Sequence, residues 1–356
     1  MVRRNRPGKA VRRIYRGTMN KFGRREFLGF GAGLLASSFT SFAAGEDRQQ
    51  WYQKEVSGSR LLDLPIMEGF KPTEIVVEVG ARQPFEMLHF SDSHLVHLDV
   101  GDLMKSDVRD LAHYRERLKG FGHPQNMIMF AAALAYAKAK NLHVLHTGDL
   151  LDIVSDGSLA NLKRDIAGFG CIYAIGNHEY CSGRKRPPRT EWLAPARRKM
   201  QGYFPNPIAV SSKIVGGVNF VAVDNVGMSR DVFAAQFAAL EAEFAKGLPV
   251  VLACHIPFYT PDLADRVVVE SKKSAWSRNL LKSVKDLSRG WLAACPGKND
   301  LEINLKLSEW LRRQKNLKAI LCGHTHFEHQ TWFSENVREI IAGAGFKGMA
   351  YHIKFV

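Results

Sequence analysis

Residues 144–152 read VLHTGDLLD, an apolar run that passes directly into a glycine and two aspartates. The apolar part predicts a short buried strand, and the glycine allows the backbone to turn sharply where that strand ends. Four other apolar runs lead into polar clusters in the same way. They are residues 85–90 before Asp92-Ser93-His94, 172–175 before Gly176-Asn177-His178-Glu179, 250–253 before Cys254-His255, and 319–321 before Gly323-His324-Thr325-His326.

Helix-like segments lie between several of these strands. Residues 127–140 are rich in alanine and follow Pro124, and residues 231–246 repeat apolar side chains at helical spacing. Alternating strands and helices predict an α/β fold with a largely parallel sheet, in which the carboxyl ends of the strands share one edge. We therefore expect the five clusters to meet at one edge of a sheet.

The side chains of these clusters are ligands that divalent cations prefer. Asp92 and His94 are two residues apart at a strand end, which predicts that both side chains lie on one face, and His324 and His326 repeat that spacing. Asp149 has two carboxylate oxygens and can bridge two cations. Carboxylates and imidazoles gathered at one edge suit a pair of divalent metal ions, and a two-metal site suits hydrolysis of a phosphate ester.

In this order the clusters resemble the calcineurin-like metallophosphoesterases, whose pattern is D-x-H, G-D-x-x-D, G-N-H-[ED], a lone His and G-H-x-H. The resemblance extends from about residue 85 to the C-terminus. It implies a four-layer α/β/β/α sandwich of two mixed sheets flanked by helices, and it implies two divalent ions, which are Mn, Zn or Fe. One ion would be held by Asp92, His94, Asp149 and His326, and the other by Asp149, Asn177, His255 and His324.

The resemblance also implies catalytic roles. A metal-activated hydroxide would attack phosphorus, His178 would donate a proton to the leaving alkoxide, and Asp152 would hold the His178 imidazole in the required tautomer. Any one of these residues alone is more often a solvated loop residue. The complete ligand set nevertheless favours an enzyme over a metal-free scaffold on the same fold. Histidines outside the clusters are interpreted as structural or surface residues: His89, His97, His113, His123, His143, His146, His329 and His352.

Two positions depart from branches of the family. Ile153 stands where the protein-phosphatase branch has an arginine that binds phosphate in a bidentate manner. Asp152 stands where the purple acid phosphatases have a tyrosine, so no iron–phenolate colour is expected. A basic group either supplies the missing phosphate contact or is a solvated loop. It consists of Arg184, Lys185, Arg186 and Arg189.

The first 44 residues have the pattern of a twin-arginine (Tat) export signal. The sequence GRREFL at residues 23–28 precedes a mildly apolar stretch that ends in the small residues a signal peptidase accepts. Ten Lys or Arg and one Glu in this segment contribute +9 of the net charge of +15, which leaves +6 for residues 45–356. That remainder mildly favours anionic substrates and does not indicate a nucleic-acid partner. Met19 is an alternative start, and an uncleaved signal is the alternative that would leave a membrane anchor.

These observations predict three segments: a signal peptide at 1–44, an N-terminal extension with the first strand at 45–84, and the metallophosphoesterase domain at 85–356. Residues 205–223 and 338–356 are interpreted as hairpin strands that complete the second sheet. Insertions at about 96–123 and 258–299 are expected to shape the pocket. The second insertion is either a lid over the metals or a packed surface helix. Its aromatic and basic residues are Trp276, Arg278, Lys282, Lys285 and Trp291.

The sequence as a whole predicts an exported, periplasmic or extracytoplasmic enzyme that hydrolyses a small phosphomonoester or phosphodiester. Its predicted partners are that substrate and, for the precursor, the twin-arginine export machinery. The alternatives are a cyclic-nucleotide phosphodiesterase or nuclease, and an exported phosphate- or metal-binding module. A nuclease is disfavoured because the sequence has no aromatic ladder and no strongly basic groove.

The cysteines and the glycine strings add little to this interpretation. Cys181 and Cys295 are a candidate disulfide pair, whereas Cys254 and Cys322 are interpreted as small buried hydrophobic residues. Residues 343–348 match a dinucleotide-binding pattern, but only eight residues follow, which is too few for a nucleotide-binding helix. The sequence therefore predicts no dinucleotide cofactor.

Overall fold

The computed structural model describes residues 70–97, 102, 113, 116–117, 125–166, 171–180, 197–226, 230–274, 277 and 300–356. Several predictions concern residues outside this set. They are the export signal at 1–44 with Met19, residues 45–69 of the N-terminal extension, most of the insertion at about 96–123, His123, the basic group at 184–189, the pair Cys181 and Cys295, and the residues Trp276, Arg278, Lys282, Lys285 and Trp291 of the second insertion.

The described strands are short and mostly apolar. In chain order they are β1 (Thr73–Val77), β2 (Phe85–Phe90), β3 (His143–His146), β4 (Ile172–Tyr173), β5 (Val210–Val215), β6 (Val218–Val223), β7 (Val250–Ala253), β8 (Leu317–Cys322), β9 (His329–Ser334), β10 (Val337–Ile341) and β11 (Tyr351–Phe355). The strands predicted before the five polar clusters are present as β2, β3, β4, β7 and β8. Of these, β4 has two residues where four were predicted.

Among the described residues these strands form two mixed sheets. The first has the order β1-β11-β2-β3-β4, in which β11 is antiparallel to β2 and the other neighbours are parallel. The second has the order β5-β6-β7-β8-β10-β9, with parallel pairs inside and an antiparallel pair at each edge. The prediction of two mixed sheets is confirmed.

The described helices pack on these sheets. They are α1 (Gln125–Ala139), α2 (Asp156–Ile166), α3 (Arg230–Phe244), α4 (Pro261–Ser271) and α5 (Asp300–Arg312). Helix α1 packs on the first sheet and α3 on the second, so helices flank both. Helices α1 and α3 match the predicted segments 127–140 and 231–246 to within two residues at each end.

Helix α4 lies in the second predicted insertion and shows why that part of the chain is helical. Pro261 occupies its first turn, and the Thr260 hydroxyl accepts a hydrogen bond from the Leu263 amide at 3.1 Å. The helix buries Leu263 and Val267 in the core. The alternatives for this insertion were a lid over the metals and a packed surface helix. Its described part is a packed helix.

Apolar side chains alternate between the two faces of each sheet, as expected for strands that are covered on both sides. On β7, Val251 packs in the layer between the sheets, whereas Leu252 packs in the layer under the helices. On β2, Met87 and Leu88 divide in the same way. Because this packing fixes the orientation of each strand, it also fixes the direction in which the chain leaves the strand and begins the next loop.

The two predicted hairpins had different outcomes. The hairpin at 205–223 is confirmed as β5 and β6, joined by Gly216 and Gly217, whose positive φ angles of 59° and 83° suit a two-residue hairpin turn. The prediction of a hairpin at 338–356 is wrong. Strand β10 pairs with β9, which the sequence analysis did not predict, and β11 crosses to the first sheet between β1 and β2.

The segment that leads from β10 to β11 is hydrogen-bonded to the backbone of residues 91 and 92, where β2 ends. The Gly345 amide donates to the Ser91 carbonyl oxygen at 2.9 Å, and the Phe346 amide donates to the Asp92 carbonyl oxygen at 3.1 Å. These bonds lead the chain from the second sheet onto the first, which is the physical reason that the hairpin does not form. The glycine string that was set aside as a cofactor motif is this crossing segment.

Candidate metal centre

The loops after the strands hold five predicted ligands in a left-handed backbone conformation. Asp92, His94, Asp149, His324 and His326 have φ angles between 46° and 72°, and one other described non-glycine residue has a positive φ. Such a conformation costs about 1–3 kcal/mol for a residue with a side chain and persists only where the surroundings enforce it. Nearly all of this strain in the described chain is therefore concentrated at one site.

Hydrogen bonds between the loops enforce these conformations. The Asp92 amide donates to the carbonyl oxygen of the residue before Asp149, and the His94 amide donates to the Asp149 carbonyl oxygen, both at 2.9 Å. The Asp92 Oδ2 atom accepts from the His324 amide, and the Asp149 Oδ1 atom accepts from the His178 amide, both at 2.8 Å. Each carboxylate thus ties two loops together with one oxygen and directs its other oxygen at imidazoles.

The first group of candidate ligands consists of Asp92, His94 and His326. The Nε2 atoms of His94 and His326 lie 3.1 Å apart. Asp92 Oδ1 is 3.2 Å from the His326 nitrogen and 3.8 Å from the His94 nitrogen. Asp149 Oδ2 lies 3.7 Å from His94 Nε2 and completes this group. The structure brings together all four residues that were predicted to share an ion.

The second group consists of Asp149, His255 and His324, with Asn177 beside them. His255 Nε2 lies 3.3 Å from Asp149 Oδ2, 3.2 Å from His324 Nδ1 and 3.1 Å from Asn177 Oδ1. The Asp149 Oδ2 atom therefore faces both groups. This is the placement expected of an oxygen that bridges two cations.

The spacing and hydrogen bonding of these atoms fit divalent metal ions. Ligands about 2.0–2.2 Å from a metal lie roughly 3–4 Å from one another in common geometries, as the atoms of each group do. His255 Nδ1 donates to the Thr147 carbonyl oxygen at 2.7 Å, and His94 Nδ1 donates to Asp152 Oδ1 at 3.1 Å. Metal-binding histidines commonly donate their outer nitrogen in this way, which orients the ring so that the inner Nε2 faces the metal position.

The charges at the site also favour cations. Burial lowers the pKa of His94, but the hydrogen bond to Asp152 and the nearby carboxylates of Asp92 and Asp149 outweigh it and raise that pKa to about 9. Burial likewise opposes protonation of His255, but Asp149 raises the pKa of His255 to about 10. A carboxylate field that holds two buried imidazoles protonated is also favourable for divalent cations, whose binding would displace those protons.

The other two imidazoles are already in the state that a ligand needs. Burial lowers the pKa of His324 to about 3, and burial also lowers the pKa of His326 below its ordinary value. Both side chains are therefore neutral near pH 7. A neutral imidazole has one nitrogen lone pair with which it can coordinate a cation.

Residues 85–328 match the family model described as calcineurin-like phosphoesterase. The chain belongs to this family. It is therefore a hydrolase of phosphate ester bonds, and the family depends on two metal ions. No curated protein matches this phosphoesterase in sequence.

Several solved structures are similar to the phosphoesterase at low identity. A phosphopantetheinyl hydrolase from Mycobacterium tuberculosis is 16% identical, with 78% of this chain and 91% of that chain covered and a TM-score of 0.33. A dimetal phosphatase from Danio rerio is 13% identical, with 74% and 88% covered and a TM-score of 0.37. A 5'-nucleotidase from Candida albicans is 12% identical, with 74% and 45% covered and a TM-score of 0.35.

The predicted catalytic pair of the phosphoesterase lies beside the first ligand group. His178 Nδ1 is 2.8 Å from Asp152 Oδ1, and His178 Nε2 is 3.9 Å from Asp149 Oδ2. The His178 side chain is 14% exposed, whereas the Asp152 side chain is fully buried. Asp152 therefore holds the imidazole through Nδ1, which leaves Nε2 directed toward Asp149 and the ligand groups.

Glu179 is a supporting residue whose role the sequence analysis missed, although its cluster was quoted. Its buried carboxylate accepts hydrogen bonds from the amides of Asp149 at 3.0 Å, Leu151 at 2.8 Å and Gly176 at 2.7 Å. One side chain thus holds the loop at residues 148–152 against the loop at residues 176–179.

Asp224 and Asn225 are further supporting residues that were missed. Asn225 Oδ1 accepts from the amides of His255 and Ile256, both at 3.2 Å, and fixes the backbone of one predicted ligand. Asp224 Oδ2 accepts from the hydroxyl of Tyr180, which ends the turn that contains His178. The pair follows the apolar strand β6, so the signal that identified the other clusters was also present here.

Two of the histidines interpreted as structural residues support the same loops. His89 Nε2 lies 2.9 Å from the Thr147 hydroxyl, and His146 Nε2 lies 3.0 Å from the Ser93 hydroxyl. Burial lowers the pKa of each imidazole to about 3, so both are neutral. Neither belongs to a ligand group found among the described residues.

A Gly148→Ala variant should lose bound metal and unfold more easily. Gly148 has a φ of +93°, and an added Cβ would lie 2.6 Å from both the Gly176 amide nitrogen and His255 Nδ1. We expect a loss of about 2–4 kcal/mol in the free energy of unfolding, from backbone strain together with overpacking. Metal analysis and urea unfolding measure the two effects.

Gly247→Ala is the matched control for that variant. Its φ of +71° imposes the same kind of backbone strain, but no atom lies within 4 Å of an added Cβ. We expect a loss of about 1 kcal/mol with metal content unchanged. Equal metal content in both alanine variants would show that close approach at Gly148 is unimportant.

Within the described residues, no helix is both long and apolar enough to cross a membrane.

Proposed function

We propose that this phosphoesterase hydrolyses a small phosphomonoester or phosphodiester with two divalent cations held in the two ligand groups. The observation that supports this most strongly is the position of Asp149 Oδ2, 3.7 Å from His94 Nε2 and 3.3 Å from His255 Nε2. A single carboxylate oxygen between two imidazole sets suits two neighbouring cations better than one.

The division of labour follows from this arrangement. When bound, the cations supply a nucleophile at neutral pH and offset negative charge on the phosphoryl oxygens. His178 donates a proton from Nε2 to the leaving oxygen, because Nδ1 is engaged by Asp152 and Nε2 points toward the ligand groups. Asp152 Oδ1 accepts from His178 Nδ1 and keeps the ring oriented.

Ile153 limits how phosphate is held. Its side chain is buried in the core, so the position that carries a phosphate-binding arginine in one branch of the family offers no polar contact here. The proposed active site therefore relies on the cations and on other residues to bind the phosphoryl oxygens.

One experiment tests the activity. The protein is purified, loaded separately with Mn²⁺, Zn²⁺ or Fe²⁺, analysed for metal content, and assayed on nitrophenyl phosphate and bis-nitrophenyl phosphate. We expect metal-dependent turnover, and the ratio of the two rates distinguishes a monoesterase from a diesterase. Tight phosphate binding without turnover for every metal would contradict the proposal and favour a binding module.

We further propose that the enzyme is exported, in folded form, through the twin-arginine machinery. The pattern at residues 23–28 and the basic segment around it support this, and a route that carries folded proteins allows metal to be bound before export. In a fusion of residues 1–44 to a reporter protein, replacing Arg24 and Arg25 with lysine should stop export. Export that continues unchanged in the double variant would contradict the proposal.

A further inference from the structure

Arg117 contacts both members of the proposed catalytic pair. Its Nε atom donates to Asp152 Oδ2 at 2.7 Å, and its Nη2 atom donates to Asp152 Oδ1. The same Nη2 atom lies 2.9 Å from His178 Nδ1. Arg117 lies in the insertion at about 96–123 that was expected to shape the pocket, but it was not singled out, because it follows no strand and belongs to no polar cluster.

We propose that Arg117 is a positioning residue for phosphoester hydrolysis, which orients the His178 imidazole by fixing the plane of the Asp152 carboxylate. The inference rests on the proposed function, in which His178 is the proton donor. It concerns how that donor is held and does not depend on which metals bind.

The geometry around Asp152 is the basis for this role. Asp152 Oδ1 is 2.8 Å from His178 Nδ1 and 3.1 Å from His94 Nδ1, so one oxygen serves both imidazoles. A carboxylate held through a single oxygen can rotate about its Cβ–Cγ bond. The planar guanidinium contacts both oxygens and removes that rotation, which a lysine ammonium does less well.

Exposure points to a role beyond satisfying a buried charge. The Asp152 side chain is fully buried and already has two imidazole donors, whereas the Arg117 and His178 side chains are 19% and 14% exposed. The Arg117 side chain is thus partly exposed, and its guanidinium lies next to the proton donor, 2.9 Å from His178 Nδ1. A small rotation of the ring displaces Nε2 from the leaving oxygen, and proton transfer is sensitive to such displacements.

A double-mutant cycle tests the proposal in the full-length protein loaded with Mn²⁺. The variants are Arg117→Ala, Arg117→Lys, His178→Ala and the Arg117→Ala/His178→Ala double variant, assayed on an alkyl phosphate and on nitrophenyl phosphate. Arg117→Ala should lower kcat for the alkyl phosphate by about 10–100-fold, with KM little changed, because it acts through another residue. Nitrophenyl phosphate should be little affected, and Arg117→Lys should recover part of the loss.

The decisive comparison is the effect of Arg117→Ala in the His178→Ala background. If Arg117 acts through His178, then Arg117→Ala costs no further activity once His178 is alanine. The same loss in both backgrounds, an equal rise in KM for both substrates, or a loss of bound metal in Arg117→Ala would overturn the proposal. Arg198→Ala, at an exposed arginine in the described chain, is the control and should match the wild type.

A measurement without turnover separates this inference from the function it rests on. The imidazole ¹⁵N signals of His178, identified by their absence in His178→Ala, should move in Arg117→Ala and stay in place in Arg198→Ala. Signals that do not move in Arg117→Ala would overturn the positioning role whether or not the protein is active. Signals that move in a protein with no metal-dependent turnover would leave the positioning contact in place and reject the proposed function alone.

Discussion

An Asp149→Ala variant should lose its bound metal and lower phosphoester turnover by about 10³-fold or more. The reason is that Asp149 Oδ2 faces both ligand groups, at 3.7 Å from His94 Nε2 and 3.3 Å from His255 Nε2. Cations supply several kcal/mol of charge stabilisation in such reactions, and about 1.4 kcal/mol corresponds to a factor of ten in rate. Metal content and turnover are measured on the same preparation.

Two companion variants separate charge from shape. Asp149→Asn keeps an acceptor for the His178 amide, which donates to Asp149 Oδ1 at 2.8 Å, but it removes the negative charge. It should lose metal almost as completely as the alanine variant. Asp265→Ala removes an exposed carboxylate on α4 and should keep full metal content. Full metal occupancy with full turnover in Asp149→Ala would contradict the shared-ligand arrangement.

The places where polar residues follow buried strands were predictable from sequence. An apolar run such as Val250–Ala253 has to be buried, and the first polar residues after it lie where the sheet ends. This rule required no knowledge of the loops. It brought His255 and Asp149 to one site although the sequence separates them by about a hundred positions.

The backbone conformations of the ligand loops were not predictable from the sequence. The prediction that Asp92 and His94 lie together was correct, but the reason given for it was wrong. Asp92 and His94 were expected on one face because alternate residues of an extended strand share a face. They lie beyond β2, with φ angles of 55° and 46°, and no extended strand passes through them. Their side chains meet because the loop is bonded to the backbone around Asp149. Strain of this kind depends on contacts between distant segments, which spacing in one segment does not encode.

The missed residues differ in whether any signal existed. Asp224 and Asn225 end an apolar strand, so the rule that found the other clusters applied to them and was not used. Glu179 stood in a quoted cluster, but its three amide donors come from loops whose closeness only the fold establishes. Strand β9 was missed because its exposed Trp332 and polar neighbours do not form a buried apolar run.

A His178→Ala variant should show a loss that depends on the leaving group. For an alkyl phosphate, whose leaving alkoxide is strongly basic, we expect turnover to fall by about 10²–10⁴-fold, the usual range for a positioned proton donor. For nitrophenyl phosphate the loss should be much smaller, because nitrophenolate leaves without protonation. The structural reason is that Nε2 of His178 lies 3.9 Å from Asp149 Oδ2, beside the ligand groups, while Nδ1 is held by Asp152.

Two controls make this result specific: metal analysis, and an alanine variant of a histidine outside the site. Because His178 is proposed as a proton donor and not as a ligand, His178→Ala should retain the metal content of the wild type. His143→Ala, at the exposed first residue of β3, should leave both rates unchanged. Equal losses on the two substrates would remove the proton-donor role, since a residue that only binds phosphate or shapes the site acts on both reactions alike. A fall in metal content would instead make His178 a ligand, with its Nε2 drawn toward Asp149 Oδ2.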